Sequence, residues 1–154
     1  MDDVFGGLRR GFVMGVILLG TTPFVSLSGA AEPIHVKVVA NESVPTGIVS
    51  KRTLNAVFRG EPARWSDGTL LRAVDQSVRS EIRFAFTRDF LNDTLDGIQT
   101  QWMRRIAQGH GLPPPVKSSD AEVLAFVAGT RGALGYVLES TPLPAAVKAV
   151  QVVD

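Results

Sequence analysis

The stretch SKRTLNAVFRG, residues 50–60, carries the pattern that decides the class of fold. Ser50 can cap a helix with its hydroxyl group, and Gly60 is a residue at which such a helix ends. The helix would bury one apolar face, made of Leu54, Val57 and Phe58. Upstream, residues 34–39 form the short apolar run typical of a strand. A strand followed by a helix is the unit of an α/β domain.

The same alternation continues to the end of the chain. Further strands are predicted for residues 70–74, 133–138 and 147–153. Helices are predicted to begin after Ser80, after Asp93 or Thr94, and at Ser119, where Glu122 completes a capping box, and the last of them to end at Gly129 or Gly132. Three prolines, residues 113–115, predict an extended linker. We therefore expect an α/β domain with a small mixed sheet flanked by helices.

Two apolar stripes at helical spacing are expected to lie in the core. They consist of Ile82, Ala85, Phe86 and Phe90, and of Leu95, Ile98, Trp102 and Ile106. Trp65 precedes a polar turn, where it could stack on a ligand, but burial against the preceding helix is the interpretation we prefer. Tyr136, in a predicted strand, could point its hydroxyl group into the core or toward a cleft.

Bulk properties exclude several classes of protein. The chain has 154 residues, a formal net charge of +1 and no cysteine. This length suits one domain, and the small charge gives no field for nucleic acid, which we exclude as a partner. Without cysteine there are no disulfides and no thiolate sites, so the domain depends on an ordinary core.

The first 31 residues have the layout of a cleavable signal peptide. Arg9 and Arg10 precede an apolar run over residues 12–19, and small residues follow, with cleavage expected after Ala30 or Ala31. The apolar run is shorter than the roughly 20 residues that a membrane-spanning helix needs. The arginine pair is compatible with twin-arginine export as well as with an ordinary signal. We expect residues 32–154 to be a periplasmic or otherwise exported domain with no stable membrane span.

Four segments follow one another along the chain: LNAVFRG at residues 54–60, WSDG at 65–68, the run at 71–74, and GTRGALGYV at 129–137. In this order they resemble the phosphate-binding components of ABC transporters, which have the type II periplasmic binding protein fold. The resemblance implies a protein that binds a small anion such as phosphate and works with an inner-membrane transporter, a sensor or another envelope protein. Full-length relatives have two lobes, whereas this chain passes from its first strand almost directly to the helix at residue 50. The resemblance therefore implies a truncated member, mostly one lobe.

The candidate ligand site is the loop DQSVRSE, residues 75–81. The resemblance places there a Ser-Gly-Ser-Gly-Thr-like run, which surrounds an oxyanion at a helix N-terminus. The glycines are absent from this chain. The candidate ligand-binding residues are Ser77, Arg79, Ser80 and Arg83, which could hold an oxyanion by charge-assisted hydrogen bonds. The alternative is that Asp75 and Glu81 neutralise the two arginines on a solvated surface.

No motif indicates catalysis. The sequence has no nucleophile turn and no nucleotide-binding glycine loop, so we expect no enzyme activity. His35 and His110 are isolated from clustered carboxylates, so we expect no metal site and no cofactor. Two functions remain. One is an exported solute-binding protein for a small oxyanion, and the other is an interaction module of the cell envelope that has lost ligand binding.

Overall fold

A five-stranded mixed sheet forms the centre of the fold, in a computed structural model that describes residues 32–154. The strands stand in the order β2-β7-β1-β6-β3. Their bounds are Val36–Asn41 for β1, Ile48–Ser50 for β2, Arg72–Ala73 for β3, Ala133–Leu138 for β6 and Val147–Val153 for β7. β1 runs antiparallel to β6 and β7, while β2 is parallel to β7 and β3 is parallel to β6. A small parallel sheet pairs β4, Asp75–Gln76, with β5, Val116–Lys117.

The central strands are buried on both faces of the sheet. On β1, Val38 faces one apolar cluster and the next residue, Val39, faces another. On β6, Tyr136 and Val137 divide between the same two clusters. Because successive side chains of a strand point to opposite faces, the sheet separates the two clusters and needs a cover on each side.

Four helices provide that cover. Their bounds are Lys51–Phe58 for α1, Glu81–Phe90 for α2, Leu95–Ala107 for α3 and Asp120–Gly129 for α4. Helices α1, α2 and α3 contribute to the cluster that contains Val38, and α4 contributes to the cluster that contains Val39. The side chains of Ser50, Ser80, Thr94 and Ser119 each accept a hydrogen bond from a first-turn amide. The predicted α/β class, the mixed sheet and these helix starts are confirmed.

Some boundaries differ from the predictions. The strand expected at residues 70–74 is shorter, and the loop expected at 75–81 begins with the two residues of β4. β2 was not predicted, because its three residues are too few to show alternation. β5 was not predicted either; it follows the triproline linker directly, and the Pro115 carbonyl before it accepts a hydrogen bond from the Asp75 amide at 2.9 Å.

Two residues of the predicted core stripes, Leu95 and Ile106, lie outside the two apolar clusters. Ile106 is 47% exposed, whereas Ile98 and Trp102 on the same helix are buried. Ile106 stands in the last turn of α3, past the residues of the helix that enter the buried cluster. Trp65 is buried as expected, and its indole N–H donates to the carbonyl of Gly132 at 3.0 Å.

The predicted signal peptide, residues 1–31, lies outside the described residues. Residues 32–154 form one compact unit. No helix within that unit has the length and apolar character needed to cross a membrane.

Candidate functional site

The predicted ligand loop connects β4 to α2. Ser80 caps α2, accepting a hydrogen bond from the Arg83 amide at 3.4 Å and donating its own proton to Gln76 Oε1 at 2.9 Å. Since a hydroxyl group has one proton, Ser80 is already committed to Gln76. Ser80 therefore shapes the start of the helix, and it can donate to a ligand only by releasing Gln76.

Ser77 and Arg79 lie on the outer side of this loop. The Ser77 hydroxyl accepts from the Arg79 amide at 3.3 Å, which leaves its proton free. Arg79 is exposed, and its guanidinium makes no hydrogen bond or ion pair with any described residue. The predicted neutralisation of Arg79 by Glu81 is therefore not seen in this part of the chain.

Arg83 points into the protein. Its Nη1 atom pairs with Asp75 Oδ2 and donates to the carbonyl of Gln76 at 3.1 Å. Both charged side chains are only 9% exposed. The alternative expectation, that Asp75 neutralises an arginine, holds for Arg83, but the pair is buried and not solvated. Burying two charges is costly unless each satisfies the other, so this pair is a fixed part of the interior.

The hydroxyl group of Tyr136 contacts the buried pair of Arg83 and Asp75. Its hydroxyl group donates to the other oxygen of Asp75 and accepts from the Gln76 amide at 3.1 Å. Its ring stacks on Phe86 with centroids 3.8 Å apart. Burial, reinforced by the negative charge of Asp75, raises the pKa of the Tyr136 phenol far above its ordinary value of 10.0. The question left open by the sequence is settled: Tyr136 points into the core.

Gln76 and Asp120 extend this network to α4. Gln76 Nε2 donates to Asp120 Oδ1 at 2.8 Å and to the carbonyl of Tyr136 at 3.1 Å. Asp120 Oδ2 accepts from the Leu138 amide at 3.0 Å and from the Thr141 hydroxyl at 2.6 Å. Sequence reasoning missed both residues. An acidic residue just after the cap is ordinary in any helix, and nothing in the pattern marks Gln76 as buried.

The structure thus divides the four candidate residues into two groups. Ser77 and Arg79 present free donors to solvent, beside the Glu81 and Ile82 amides at the start of α2, which donate no hydrogen bond to any described residue. Ser80 and Arg83 are engaged in the interior. Ser77 and Arg79 can contact an anion in an open site. Glu81 adds a negative charge in the first turn of α2 beside that site.

Comparison with known proteins shows what this arrangement is similar to. No family model and no curated protein matches the chain. Among solved structures, an ABC-type phosphate transport receptor from Vibrio cholerae matches with a TM-score of 0.59 and 16% identity, covering 77% of this chain and 46% of the receptor. PstS from Borrelia burgdorferi matches with a TM-score of 0.59 and 12% identity, covering 77% of this chain and 47% of its own.

A Clostridium perfringens protein whose X-ray structure holds bound phosphate matches with a TM-score of 0.60 and 15% identity, covering 77% of this chain and 45% of its own. At such identities the likeness establishes the fold. The chain spans less than half the length of these neighbours. The chain therefore has the fold of type II periplasmic binding proteins and supplies about one lobe of it.

Proposed function

We propose that this chain is an exported solute-binding protein that binds a small oxyanion, with phosphate as the first candidate, at the N-terminus of α2. The observation that carries the proposal is the free guanidinium of Arg79, which stands beside unpaired helix amides in a fold shared with phosphate receptors. Unpaired amides and a cation at a helix start attract anions. The domain acts by binding and catalyses no reaction.

The four candidate residues have different roles in this proposal. Arg79 and Ser77 contact the oxyanion, because both offer free protons to solvent. Ser80 and Arg83 position the loop, because they hold the side chain and the carbonyl of Gln76. The site is open, since the chain supplies about one lobe, and a bound anion would remain partly hydrated. A transporter, sensor or other envelope protein in contact with the loop could cover it.

The test is a calorimetric titration of the purified protein with phosphate, sulfate and acetate. We expect phosphate binding that is weakened about threefold to tenfold in Arg79→Ala, because one charge-assisted hydrogen bond is lost. Arg52→Ala is the matched control, since Arg52 is an exposed arginine on α1. Absence of heat with every anion, or equal weakening by both variants, would overturn the proposal.

A second candidate function is an envelope interaction module without a small ligand. It is favoured by the buried pairing of Arg83 with Asp75, which withdraws one of the two arginines from any anion. The glycines that would let a backbone wrap an oxyanion are also absent from the loop at residues 75–81. Failure of all anions in the titration would favour this function.

A further inference from the structure

The outer edge of β3 has a gap one residue long. The amides of Arg72 and Val74 donate to Gly132 and Leu134 on the β6 side, at 3.1 and 2.9 Å. Alternate amides of an extended chain point to opposite sides, so the amide of Ala73 points outward. Its outward-pointing neighbours are both satisfied, since Leu71 donates to Ala63 and Asp75 donates to Pro115.

The segments on either side of the gap do not close it. Within residues 32–154, no carbonyl of a turn or loop accepts a hydrogen bond from the Ala73 amide. The triproline run, residues 113–115, lines a cavity at this edge together with Ala73, but its hydrogen bond to the edge is made by the Pro115 carbonyl to Asp75 and not to Ala73. An unpaired edge of this kind is a place where another chain can add hydrogen bonds.

An apolar cavity of about 440 Å³, which we call the edge notch, opens at this gap. Its walls include Leu70, Ala73, Trp102, Leu112, Pro113 and Phe126. Leu112 is 80% exposed and Leu70 is 38% exposed, although both face a cavity that could bury them. An apolar cavity with exposed leucines favours an apolar side chain as its occupant.

Basic residues surround one end of the edge notch. Arg72 and Leu70 also line an adjoining cleft of about 340 Å³ together with Arg131 and Thr130. Neither arginine forms an ion pair with a described residue.

Two carboxylates stand near the notch, and a further cation flanks it. Asp67 lies close enough to Arg131 for the arginine to contribute to lowering the Asp67 pKa, after the hydrogen bonds from Thr69. Glu61 lines the far side of the notch. Lys117 lies over the ring of Phe126, 5.7 Å from its centre. Two free guanidiniums and this lysine outweigh the carboxylates, so the surroundings favour an acidic occupant.

We propose that the edge notch is a docking site for an acidic segment of a partner protein that carries one bulky apolar side chain. The apolar side chain fills the cavity against Leu112 and Phe126. The backbone carbonyl of the same partner residue accepts a hydrogen bond from the Ala73 amide. The acidic residues beside it pair with Arg72 and Arg131. This inference is independent of anion binding at α2, because it uses other residues of the fold.

The experiment follows peptide binding by NMR on the ¹⁵N-labelled protein. The probes are blocked peptides of the form acetyl-Asp-Asp-X-Asp-amide, with leucine, phenylalanine or alanine at X, and the same peptides with lysine in place of aspartate. We expect saturable shifts of the Ala73 amide and the Trp102 indole with the leucine and phenylalanine acidic peptides. The alanine and lysine peptides are expected to produce no shift.

Variants locate the site. Leu112→Ser and Arg131→Ala replace exposed side chains, so both proteins are expected to fold, and each should weaken binding about threefold to tenfold. Arg52→Ala should bind as the unaltered protein does. Absence of shifts at millimolar peptide, or shifts that the Leu112 and Arg131 variants leave unchanged, would overturn the proposal. It would also be overturned if the labelled protein self-associated through the same residues, because the occupant would then be a second copy of the chain.

Discussion

The carboxylate of Asp75 is the counter-charge of a buried arginine, and removing it should be costly. Asp75→Asn keeps the size of the side chain but leaves the Arg83 guanidinium buried without its partner. We expect the free energy of unfolding to fall by about 3 kcal/mol, measured by urea denaturation. The control is Asp154→Asn, which breaks the exposed pair with Lys51 and should change stability little.

The double variant Asp75→Asn/Arg83→Met separates a charge effect from a packing effect. It removes both members of the pair, so it should recover part of the stability that Asp75→Asn loses. If the double variant is as unstable as the single variant, the loss comes from the hydrogen bonds of Asp75 to Tyr136 and Gln76 and not from the orphaned charge.

Tyr136 should resist ionisation as long as the protein is folded. It is the only tyrosine in the chain, so phenolate absorbance reports on it alone. Its folded pKa is raised, so the stability it contributes is fully present below the ordinary pKa of 10.0 and is lost as the pH rises above that value. We expect no phenolate absorbance in the folded protein near pH 10, and denaturant midpoints that fall above that pH.

Tyr136→Phe is the control for this titration, since it removes the ionisable group and keeps the stacked ring. Part of the alkaline decrease in stability should disappear in that variant. Phenolate absorbance in a protein that still shows folded-state circular dichroism, with a midpoint near the ordinary pKa, would contradict the buried position of the hydroxyl group.

At the scale of single residues, the sequence indicates which side chains can donate hydrogen bonds, but it does not indicate where those side chains point. It identified Arg79, Ser80 and Arg83 as donors near a helix start, but not that Arg83 turns inward. That direction depends on Asp75, which pairs with Arg83, and on Tyr136 of β6, which donates to the other oxygen of the Asp75 carboxylate. Contacts such as Asp75 with Tyr136 join residues distant in sequence, and periodicity carries no information about them.

At the scale of elements, the turn between α4 and β6 depends on one glycine. Gly132 has a φ of +76°, and a Cβ atom there would lie 2.4 Å from the carbonyl oxygen of Leu70. Its own carbonyl accepts from the Trp65 indole and the Arg72 amide. Gly132→Ala should destabilise the protein by about 1–3 kcal/mol, measured by urea denaturation, because the new atom meets backbone.

Gly129→Ala is the matched control for this turn. Gly129 is helical, and a Cβ atom there would meet nothing within 4 Å. The substitution should leave stability unchanged or raise it by about 0.5–1 kcal/mol, because alanine favours helix. Equal effects of the two substitutions would mean that Gly132 does not need its positive φ. The sequence left both glycines open as the helix end, and the backbone angle distinguishes them.

Helices were easier to predict than strands in this chain. Each helix has an oxygen-bearing cap residue, which the sequence indicates because capping is a local interaction. Strands β2, β4 and β5 have only two or three residues, and they exist because a partner strand lies beside them. Such pairings depend on the assembled fold and leave little trace in a short segment.

At the scale of the whole molecule, about one lobe of a two-lobed fold is present. The two-sided sheet gives this lobe a core on each face, so the described residues form a compact unit without the remainder of the longer neighbours. The order of four segments was sufficient to indicate the fold, although the identities with the neighbours are only 12–16%. The ligand could not be predicted in this way, because the loop at residues 75–81 departs from the glycine-rich run that the resemblance implies.

Export is the property of the whole chain that the N-terminal sequence predicts. When the full chain is expressed in a bacterium with a periplasm, we expect the recovered protein to begin at Ala31 or Glu32, as read from its intact mass. Replacing both Ala30 and Ala31 with tryptophan should block cleavage, since the peptidase accepts small residues there. The variant Arg9→Lys/Arg10→Lys tests the route: a twin-arginine signal requires both arginines, whereas an ordinary signal needs only positive charge. Recovery of an uncleaved chain in the cytoplasm would contradict export and, with it, the proposal that the domain captures solutes outside the cell.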